Sequence, residues 1–324
     1  MKTDTADIAD LISRGRRGDK RAAARLISSV EKGGLQARSV LAELWPHTGK
    51  ARILGVTGPP GSGKSTLTDR IVKYLRCKGI KIGVLAIDPT SPFTGGAVLG
   101  DRVRMGDLTP DPGVFIRSMG TRGRLGGLSN ACAGAADVFD ACGFDLVIIE
   151  TAGVGQSEVE VAGVADIVAV VTVPGLGDDI QAVKAGIFEI GDILVVNKAD
   201  RPEADRAVSY LKEMTETGEG KKKHNAPILK VSALENTGIG ELCTVIEERF
   251  ETFAADGTAN ERRSLRLRQT IKNLIHEDID RRVTKPAMTG PKFQAIFEEF
   301  SARRENPYLW ANDISGIIAK GKLI

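Results

Sequence analysis

The chain has 324 residues, of which 42% are hydrophobic and 27% charged, with a formal net charge of +3 at pH 7. This length can bury one large core with smaller appendages, and the near-balanced charge excludes the strongly basic class of nucleic-acid-binding proteins. The cysteines are Cys77, Cys132, Cys142 and Cys243, and they form no C-x-x-C pair and have no histidine nearby. This argues against a metal site built from cysteine and histidine, and for a reducing compartment.

The first residues of the chain include acids and lack an apolar stretch, so we expect neither a secretory signal nor a transit peptide. The most apolar segment, residues 161–174, is interrupted by Asp166 and is too short to cross a bilayer. The sequence therefore predicts a cytoplasmic protein that has neither a membrane nor a nucleic acid among its partners.

Residues 1–50 are predicted to form an N-terminal helical segment. Apolar residues recur there at helical spacing in two runs, Ala23, Leu26, Ile27 and Val30, then Val40, Leu41 and Leu44. In residues 51–253, short apolar strands alternate with helical stretches, which is typical of a doubly wound α/β domain with a mostly parallel sheet. The predicted strands are 53–57, 82–87, 114–117, 145–150, 167–173, 193–196 and 228–231.

The first predicted strand leads directly into a glycine-rich loop. Residues 58–65 read G-P-P-G-S-G-K-S and match the P-loop pattern G-x-x-x-x-G-K-[ST], and helical spacing follows. In such a loop, backbone N–H groups surround phosphate oxygens at the positive end of a helix. An ordinary glycine-rich turn is the alternative, which the strand–loop–helix context disfavours. The predicted nucleotide-binding residues of this loop are Gly58, Pro59, Pro60, Gly61, Ser62, Gly63, Lys64, Ser65 and Thr66.

Two of these residues have further predicted roles. Lys64 would act in catalysis by reaching the β- and γ-phosphates, and the hydroxyl of Ser65 would coordinate Mg²⁺. We therefore expect a nucleoside triphosphate and Mg²⁺ as the ligands of this domain.

Three acidic residues are candidates for the metal site. Asp88 follows a predicted strand and would position the attacking water and approach Mg²⁺, the alternative being a helix N-cap. Asp101, in a glycine-rich run, is a second acid expected near the metal. Glu150 ends a strand three residues before Gly153, as in a D-x-x-G element with Glu in place of Asp. Glu150 would hold Mg²⁺ through water, while the Gly153 N–H would sense the γ-phosphate.

The residue after Gly153 is Val154, where Ras-like enzymes have the glutamine that orients water. Another catalytic group, from this chain or from a partner, is therefore expected to complete the site, and intrinsic turnover should be slow.

The sixth predicted strand runs into Asn197, Lys198, Ala199 and Asp200, which resemble the N-K-x-D element of guanine-specific NTPases. A carboxylate accepts two hydrogen bonds from guanine, from N1–H and the exocyclic amine, and adenine offers no such pair of donors. Asn197 would tie this loop to the P-loop, and Lys198 would lie along the base.

The seventh predicted strand ends in Ser232, Ala233 and Leu234. This run resembles the S-A-x element whose backbone contacts the guanine carbonyl oxygen. Because the P-loop, the N-K-x-D element and the S-A-x element occur in this order, the sequence indicates GTP and GDP as the nucleotides.

Residues 254–324 are predicted to form a C-terminal helical arm, which begins with a polar stretch at 254–263. A long helical pattern covers residues 265–283, and a second helix is expected over about 292–304. An apolar stripe on such helices needs a surface to cover it. Packing onto the chain's own core and homodimerisation are both open.

Several further blocks together resemble the methylmalonyl-CoA mutase-associated GTPases of the MeaB type, formerly called LAO/AO transport ATPases. The resemblance is close over residues 18–235 and loose in the tail. The blocks that carry it are residues 18–21, 29–31, 58–65, 86–92, 94–105, 122–127, 150–158, 174–181 and 197–200.

The resemblance implies a P-loop GTPase that acts as a chaperone for an adenosylcobalamin-dependent acyl-CoA mutase, gating cofactor loading and protecting or reactivating the mutase. It also implies a homodimer held by the C-terminal arm. The loop at residues 174–184 resembles a third switch, in which Lys184 is a candidate for completing the GTPase site when the partner binds. From the sequence alone, Lys184 is equally well an ordinary surface lysine.

Three other classes stay open. A metallochaperone-type GTPase should carry a His/Cys-rich segment, whereas His47, His224 and His276 are isolated. A transport-associated kinase would transfer phosphate to a protein rather than to water. A binding module without hydrolysis is disfavoured because Lys64 and the acidic candidates are all present.

Overall fold

The structure is a computed structural model, and it describes residues 5–88, 106–120, 127–153, 157–175, 186–217, 226–289 and 291–311. The chain divides into two compact units, Met1–Arg263 and Ser264–Ile324. The first unit contains the sheet and every part of the candidate site described below.

The N-terminal segment is helical, as predicted, and forms α1 (Thr5–Arg16), α2 (Lys20–Lys32) and α3 (Gly34–Leu44). Helix α2 begins where the Asp19 carboxylate accepts hydrogen bonds from the backbone N–H groups of Arg21 and Ala22. The apolar residues of the three helices, Leu26 and Ile27 among them, share one buried cluster with Phe139 of the sheet-covering layer. The N-terminal helices therefore contribute to the main core of the first unit.

All seven predicted strands are present, and in the described part of the chain they form one parallel sheet in the order β3-β2-β4-β1-β5-β6-β7. The strands are β1 (Arg52–Thr57), β2 (Ile82–Asp88), β3 (Val114–Gly120), β4 (Leu146–Thr151), β5 (Ile167–Thr172), β6 (Ile193–Val196) and β7 (Ile228–Lys230). β3 is longer than predicted because it pairs with β2 as far as Asp88 opposite Gly120. The fold is thus the predicted doubly wound α/β architecture.

Helices cover both faces of the sheet, so the strands are apolar on both sides. One buried cluster joins Leu54 and Ile148 of the sheet to Leu67 and Ile246 of the covering helices, and the opposite cluster contains Phe139. The helices that lie between and after the strands in the chain are α4 (Lys64–Cys77), α5 (Gly127–Ala141), α6 (Ser157–Glu160), α7 (Gly186–Glu189), α8 (Ala204–Thr217) and α9 (Ile239–Ala255).

The position of β1 in the sheet determines where a ligand can bind. β1 lies between β4 and β5. The strands β2, β3 and β4 lie on one side of β1, and β5, β6 and β7 lie on the other, so the strand order reverses at β1. In open α/β sheets, ligands bind in the crevice at the carboxyl ends of the strands where the strand order reverses. The loop between β1 and α4 lies at this crevice.

The C-terminal helices begin earlier than predicted. The polar stretch at residues 254–263 does not separate them from the sheet, since α9 ends at Ala255 and α10 (Thr258–Ile279) begins almost at once. Gly257, with φ of 83°, breaks the helix, and the Asp256 carboxylate accepts a hydrogen bond from the Thr258 N–H at 2.9 Å. The sequence pattern placed the start of the long helix after this polar stretch, because the partners of these polar residues are distant in sequence.

These partners form what we call the arginine clamp, consisting of Arg262, Arg263, Asp166 and Asp192. The Arg262 guanidinium donates to both carboxylate oxygens of Asp192 at 2.7 Å. The Arg263 guanidinium donates to the Asp166 carboxylate at 2.9 and 3.2 Å. The two aspartates are 2% and 5% exposed and directly precede β5 and β6, at the amino ends of the strands. The clamp therefore attaches the first turns of α10 to the sheet edge opposite the crevice.

We expect Asp166→Ala to lower the free energy of unfolding by about 3 kcal/mol, because removing one partner of a buried ion pair leaves the other charge uncompensated. The Asp166 carboxylate also accepts the Ile53 N–H at 3.0 Å, which adds to the loss. Urea unfolding of the wild type and the variant measures the effect. The matched control is Asp205→Ala, which removes an exposed pair with Lys230 and should leave the urea midpoint almost unchanged. Equal shifts for the two variants would contradict the structural importance of the clamp.

Within the second unit, α10 continues through a π-helical turn (Asp280–Thr284) to α11 (Lys285–Thr289) and α12 (Pro291–Ser301). One group of large apolar side chains on α10 is between 37% and 58% exposed: Leu265, Leu267, Ile271, Leu274, Ile275 and Ile279. In the described ranges, no helix combines the length and the apolar character needed to cross a membrane.

Candidate nucleotide site

The loop between β1 and α4 has a backbone that only glycine can adopt at two of its positions. At Gly58, φ is 140°, and a Cβ would overlap the Val171 carbonyl of β5. At Gly63, φ is 84°, and a Cβ would lie 2.5 Å from Nδ2 of Asn197. Positive φ and close contact both exclude larger residues. The glycines therefore bring the loop against the ends of two neighbouring strands.

Lys64 is the first residue of α4 and is only 6% exposed. Its Nζ donates hydrogen bonds to the carbonyl oxygens of Gly58 and Pro59, both at 2.9 Å. The ammonium group is thus held across the mouth of the loop, where the N-terminus of α4 adds positive potential. This arrangement concentrates positive charge at the place where the sequence predicts phosphates.

The next residue, Ser65, connects the loop to β4. Its hydroxyl donates a 2.5 Å hydrogen bond to Oε1 of Glu150, which is 2% exposed. Thr57 and Thr151, the last residues of β1 and β4, are joined by a 3.0 Å hydrogen bond beside this pair. A serine hydroxyl and a buried carboxylate at the edge of the phosphate loop are the hard oxygen ligands that Mg²⁺ prefers together with substrate phosphates.

The described residues contain no group of three or more His, Cys, Asp and Glu side chains that could hold a metal by themselves. Ser65 and Glu150 are oxygen donors, and Mg²⁺ binds in nucleotide enzymes through one or two such protein ligands together with the phosphates, so these two residues fit it.

Gly153 lies against the same loop. Its φ is 87°, and a Cβ there would come within 2.7 Å of the Gly58 carbonyl oxygen, 2.7 Å of Lys64 Nζ and 2.8 Å of the Pro60 nitrogen. Position 153 can therefore be occupied only by glycine, because any larger residue would overlap the loop. The Gly153 backbone thus lies directly beside the phosphate loop.

Asn197 and Lys198 connect the end of β6 to the phosphate loop. The Asn197 amide donates to the Ser62 carbonyl at 2.8 Å, as predicted, and its Oδ1 accepts the Ala233 N–H at 3.1 Å. Lys198 has φ of 57°, and its Nζ donates to the Gly61 carbonyl at 2.8 Å. The strand-end loops after β1, β6 and β7 are thus joined in one hydrogen-bonded assembly.

Asp200 is exposed, and its carboxylate accepts a 2.6 Å hydrogen bond from the Ser232 hydroxyl. This hydrogen bond is the main cause that holds the pKa of Asp200 below its ordinary value. The carboxylate is therefore ionised at neutral pH and oriented by the loop that follows β7. An oriented, ionised carboxylate is the acceptor that guanine recognition needs.

Some contacts at the site were not predicted from the sequence. Arg70, on α4, donates from Nε to the Ala233 carbonyl at 2.9 Å and from Nη2 to the Leu234 carbonyl at 3.5 Å. Neither its spacing nor its residue type marks it in the sequence. The side-chain contact between Thr57 and Thr151 was also missed.

Other predicted residues lie wholly or partly outside the described residues. Asp101 and Lys184 fall outside them, as does most of the loop at 174–184. Asp88 is the last residue of β2, and only its backbone belongs to the described part of the chain. Their predicted roles stay predictions.

The chain is similar to known proteins over most of its length. The sequence model of the family described as "Methylmalonyl Co-A mutase-associated GTPase MeaB" matches residues 23–288. A protein of Pyrococcus abyssi named as a GTPase is 46% identical over 319 residues, 98% of each chain. The GTPase ArgK of Escherichia coli K12 is 34% identical over 283 residues, 85% of each chain. A crystal structure of an LAO/AO transport system kinase matches with a TM-score of 0.70 and 26% identity, covering 98% of this chain and 99% of the other.

Proposed function

Because the chain belongs to the methylmalonyl-CoA mutase-associated GTPase family, MeaB, we propose that it binds and hydrolyses Mg·GTP as a chaperone of an adenosylcobalamin-dependent acyl-CoA mutase. The observation that supports GTP most directly is the assembly of Asn197, Asp200 and Ser232 beside the phosphate loop. The mutase as partner rests on the family.

The proposed reaction is in-line attack of water on the γ-phosphate. Lys64 and the backbone N–H groups of residues 61–65 stabilise the charge that develops on the phosphate oxygens. Ser65 and Glu150 would hold Mg²⁺, with Asp88 and Asp101 as the further acids. When bound there, Mg²⁺ would supply positive charge that offsets the negative charge of the phosphates. Catalysis is therefore mainly positioning and electrostatic stabilisation.

Base recognition is proposed for the carboxyl ends of β6 and β7. The Asp200 carboxylate, oriented by Ser232, would accept hydrogen bonds from N1–H and the exocyclic amine of guanine. The backbone of Ala233 and Leu234 would lie near the guanine carbonyl oxygen. ATP lacks these donors, so the site should discriminate against it.

Regulation of GTP hydrolysis is proposed to involve Lys184 and the C-terminal helix α10. Lys184 would complete the GTPase site when the mutase binds, which makes hydrolysis depend on the partner. The exposed apolar residues of α10, such as Ile271 and Ile275, would be covered in a homodimer. GTP hydrolysis would then gate cofactor loading and protect or reactivate the mutase.

The test is GTP turnover by the purified protein, with and without an adenosylcobalamin-dependent acyl-CoA mutase from the same organism. We expect a low basal rate that rises strongly with the mutase, and no rise for a Lys184→Ala variant. The Lys64→Ala variant serves as the control for contaminating GTPases. A basal rate that no such mutase changes would overturn the chaperone role and leave the GTPase.

A transport-associated kinase is the second candidate, because the solved structure with the TM-score of 0.70 is named as one. A kinase transfers the γ-phosphate to a protein, whereas a GTPase transfers it to water. Incubation with γ-labelled GTP distinguishes them. Label found only in inorganic phosphate supports the GTPase, and label retained on a protein supports the kinase.

A further inference from the structure

Arg70 links two parts of the candidate site that are far apart in the chain. It lies on α4, one and a half turns after the phosphate loop, and is half-buried. Its guanidinium donates to two successive carbonyl oxygens, those of Ala233 and Leu234, at 2.9 and 3.5 Å. The planar guanidinium offers several donors in a fixed arrangement, which suits adjacent backbone acceptors better than a single ammonium does.

These hydrogen bonds close a ring. The phosphate loop continues into α4, α4 carries Arg70, and Arg70 holds Ala233. The N–H of Ala233 donates to Asn197, whose amide donates back to the Ser62 carbonyl of the phosphate loop. The phosphate and base ends of the site are therefore connected twice, through Asn197 and through Arg70.

Arg70 contacts the loop that follows β7 at the point where this loop passes from the buried Ala233 to the exposed Leu234. Ser232 is fixed by two backbone hydrogen bonds with Thr237, each at 3.1 Å, and is 1% exposed. Leu234, two residues later, is 77% exposed. The Ala233 carbonyl is thus held by Arg70 and the Ala233 N–H by Asn197. The Leu234 carbonyl accepts from Arg70, and the N–H of the same peptide group, that of Glu235, donates to the Ser232 hydroxyl at 3.3 Å.

We propose that Arg70 is a positioning residue that orients the backbone of residues 233–234 toward the guanine carbonyl oxygen and thereby sets the lifetime of bound nucleotide. This inference rests on the proposed GTP site. Arg70 acts through the loop and does not itself contact the base. Its loss weakens the contacts made to the carbonyl oxygen and leaves those made to the phosphates.

The test compares wild type, Arg70→Ala and Arg70→Lys. We expect Arg70→Ala to speed dissociation of fluorescent GDP about tenfold, equivalent to one modest hydrogen bond. Affinity for GTP and for ITP should fall by the same factor, because both bases carry the carbonyl oxygen and ITP lacks only the exocyclic amine. Affinity for inorganic pyrophosphate, which reports the phosphate loop alone, should not change. Arg70→Lys should recover part of the loss.

The matched control is Arg76→Ala, one and a half turns further along α4. Arg76 makes a bidentate pair with Asp111 at 2.9 and 3.0 Å and does not hold residues 233–234. We expect it to lower thermal stability without changing the ratio of GTP to pyrophosphate affinity.

Unchanged GDP dissociation in Arg70→Ala, or equal losses for GTP and pyrophosphate, would overturn the positioning role. A wild-type protein that binds pyrophosphate but no guanine nucleotide would overturn the proposed function itself, and this inference with it. The two failures are distinguishable because the wild type is measured first.

Discussion

Lys64→Ala is expected to reduce GTP hydrolysis by at least about 100-fold, the effect of removing one preorganised charge from a phosphoryl-transfer site. Lys64 is 6% exposed, and its Nζ is held by the Gly58 and Pro59 carbonyl oxygens at 2.9 Å. The ammonium group is already desolvated and aimed across the loop, so little reorganisation is needed when phosphate arrives. Single-turnover release of labelled phosphate measures the chemical step directly.

The matched control is Lys73→Ala on the same helix. Lys73 is 38% exposed and pairs with Asp69 at 2.9 Å, so its loss should leave turnover within about twofold of the wild type. GDP affinity separates two explanations of an inactive Lys64 variant. A variant that still binds GDP but does not hydrolyse GTP has lost stabilisation of the transition state. Full activity of the Lys64 variant would mean that this loop is not the site of hydrolysis.

Asp200→Asn is expected to weaken GTP binding by about 100-fold or more and to relax the choice of base, because buried or oriented polar groups left unmatched are costly. The substituted amide offers a donor where guanine also presents a donor. Xanthine carries a carbonyl oxygen in place of the exocyclic amine, so the variant should bind XTP better than the wild type does. Competition of GTP, XTP and ATP against a fluorescent GDP measures all three affinities.

The hydrogen bond from Ser232 holds the pKa of Asp200 below its ordinary value. A depressed folded-state pKa means that the ionised form persists as pH falls, so guanine affinity should be retained through mildly acidic pH. The matched control is Asp205→Asn, an exposed aspartate that pairs with Lys230 and does not contact residues 232–234. It should leave all nucleotide affinities unchanged. Unaltered preference for GTP over ATP in Asp200→Asn would show that the guanine assignment is wrong.

The seven strands could be predicted because each is a short apolar run bounded by turn residues, and both faces of the sheet are covered. The start of α10 at Thr258 was not predicted, because the first turns of this helix carry Arg262 and Arg263, whose partners Asp192 and Asp166 are distant in sequence. Composition marks residues 254–263 as polar but does not show where their charges are neutralised.

The sequence by itself determined the glycine-rich loop and the strand-end loops that we propose for base recognition. Residues 58–65 are contiguous because the phosphate cradle is made of successive backbone N–H groups, and such a requirement is met by consecutive residues. Asn197 and Asp200 directly follow a strand, and parallel strands bring their carboxyl ends to one edge of the sheet.

Only the tertiary structure decided which side chains support these elements. Arg70 reaches Ala233, 163 residues away, and Ser65 reaches Glu150, 85 residues away. Arg263 reaches Asp166 from the far end of the first unit. Such contacts depend on strand order and on how helices pack against the sheet. They leave no local pattern, because an arginine on a helix face has the same spacing whether it is solvated or bound.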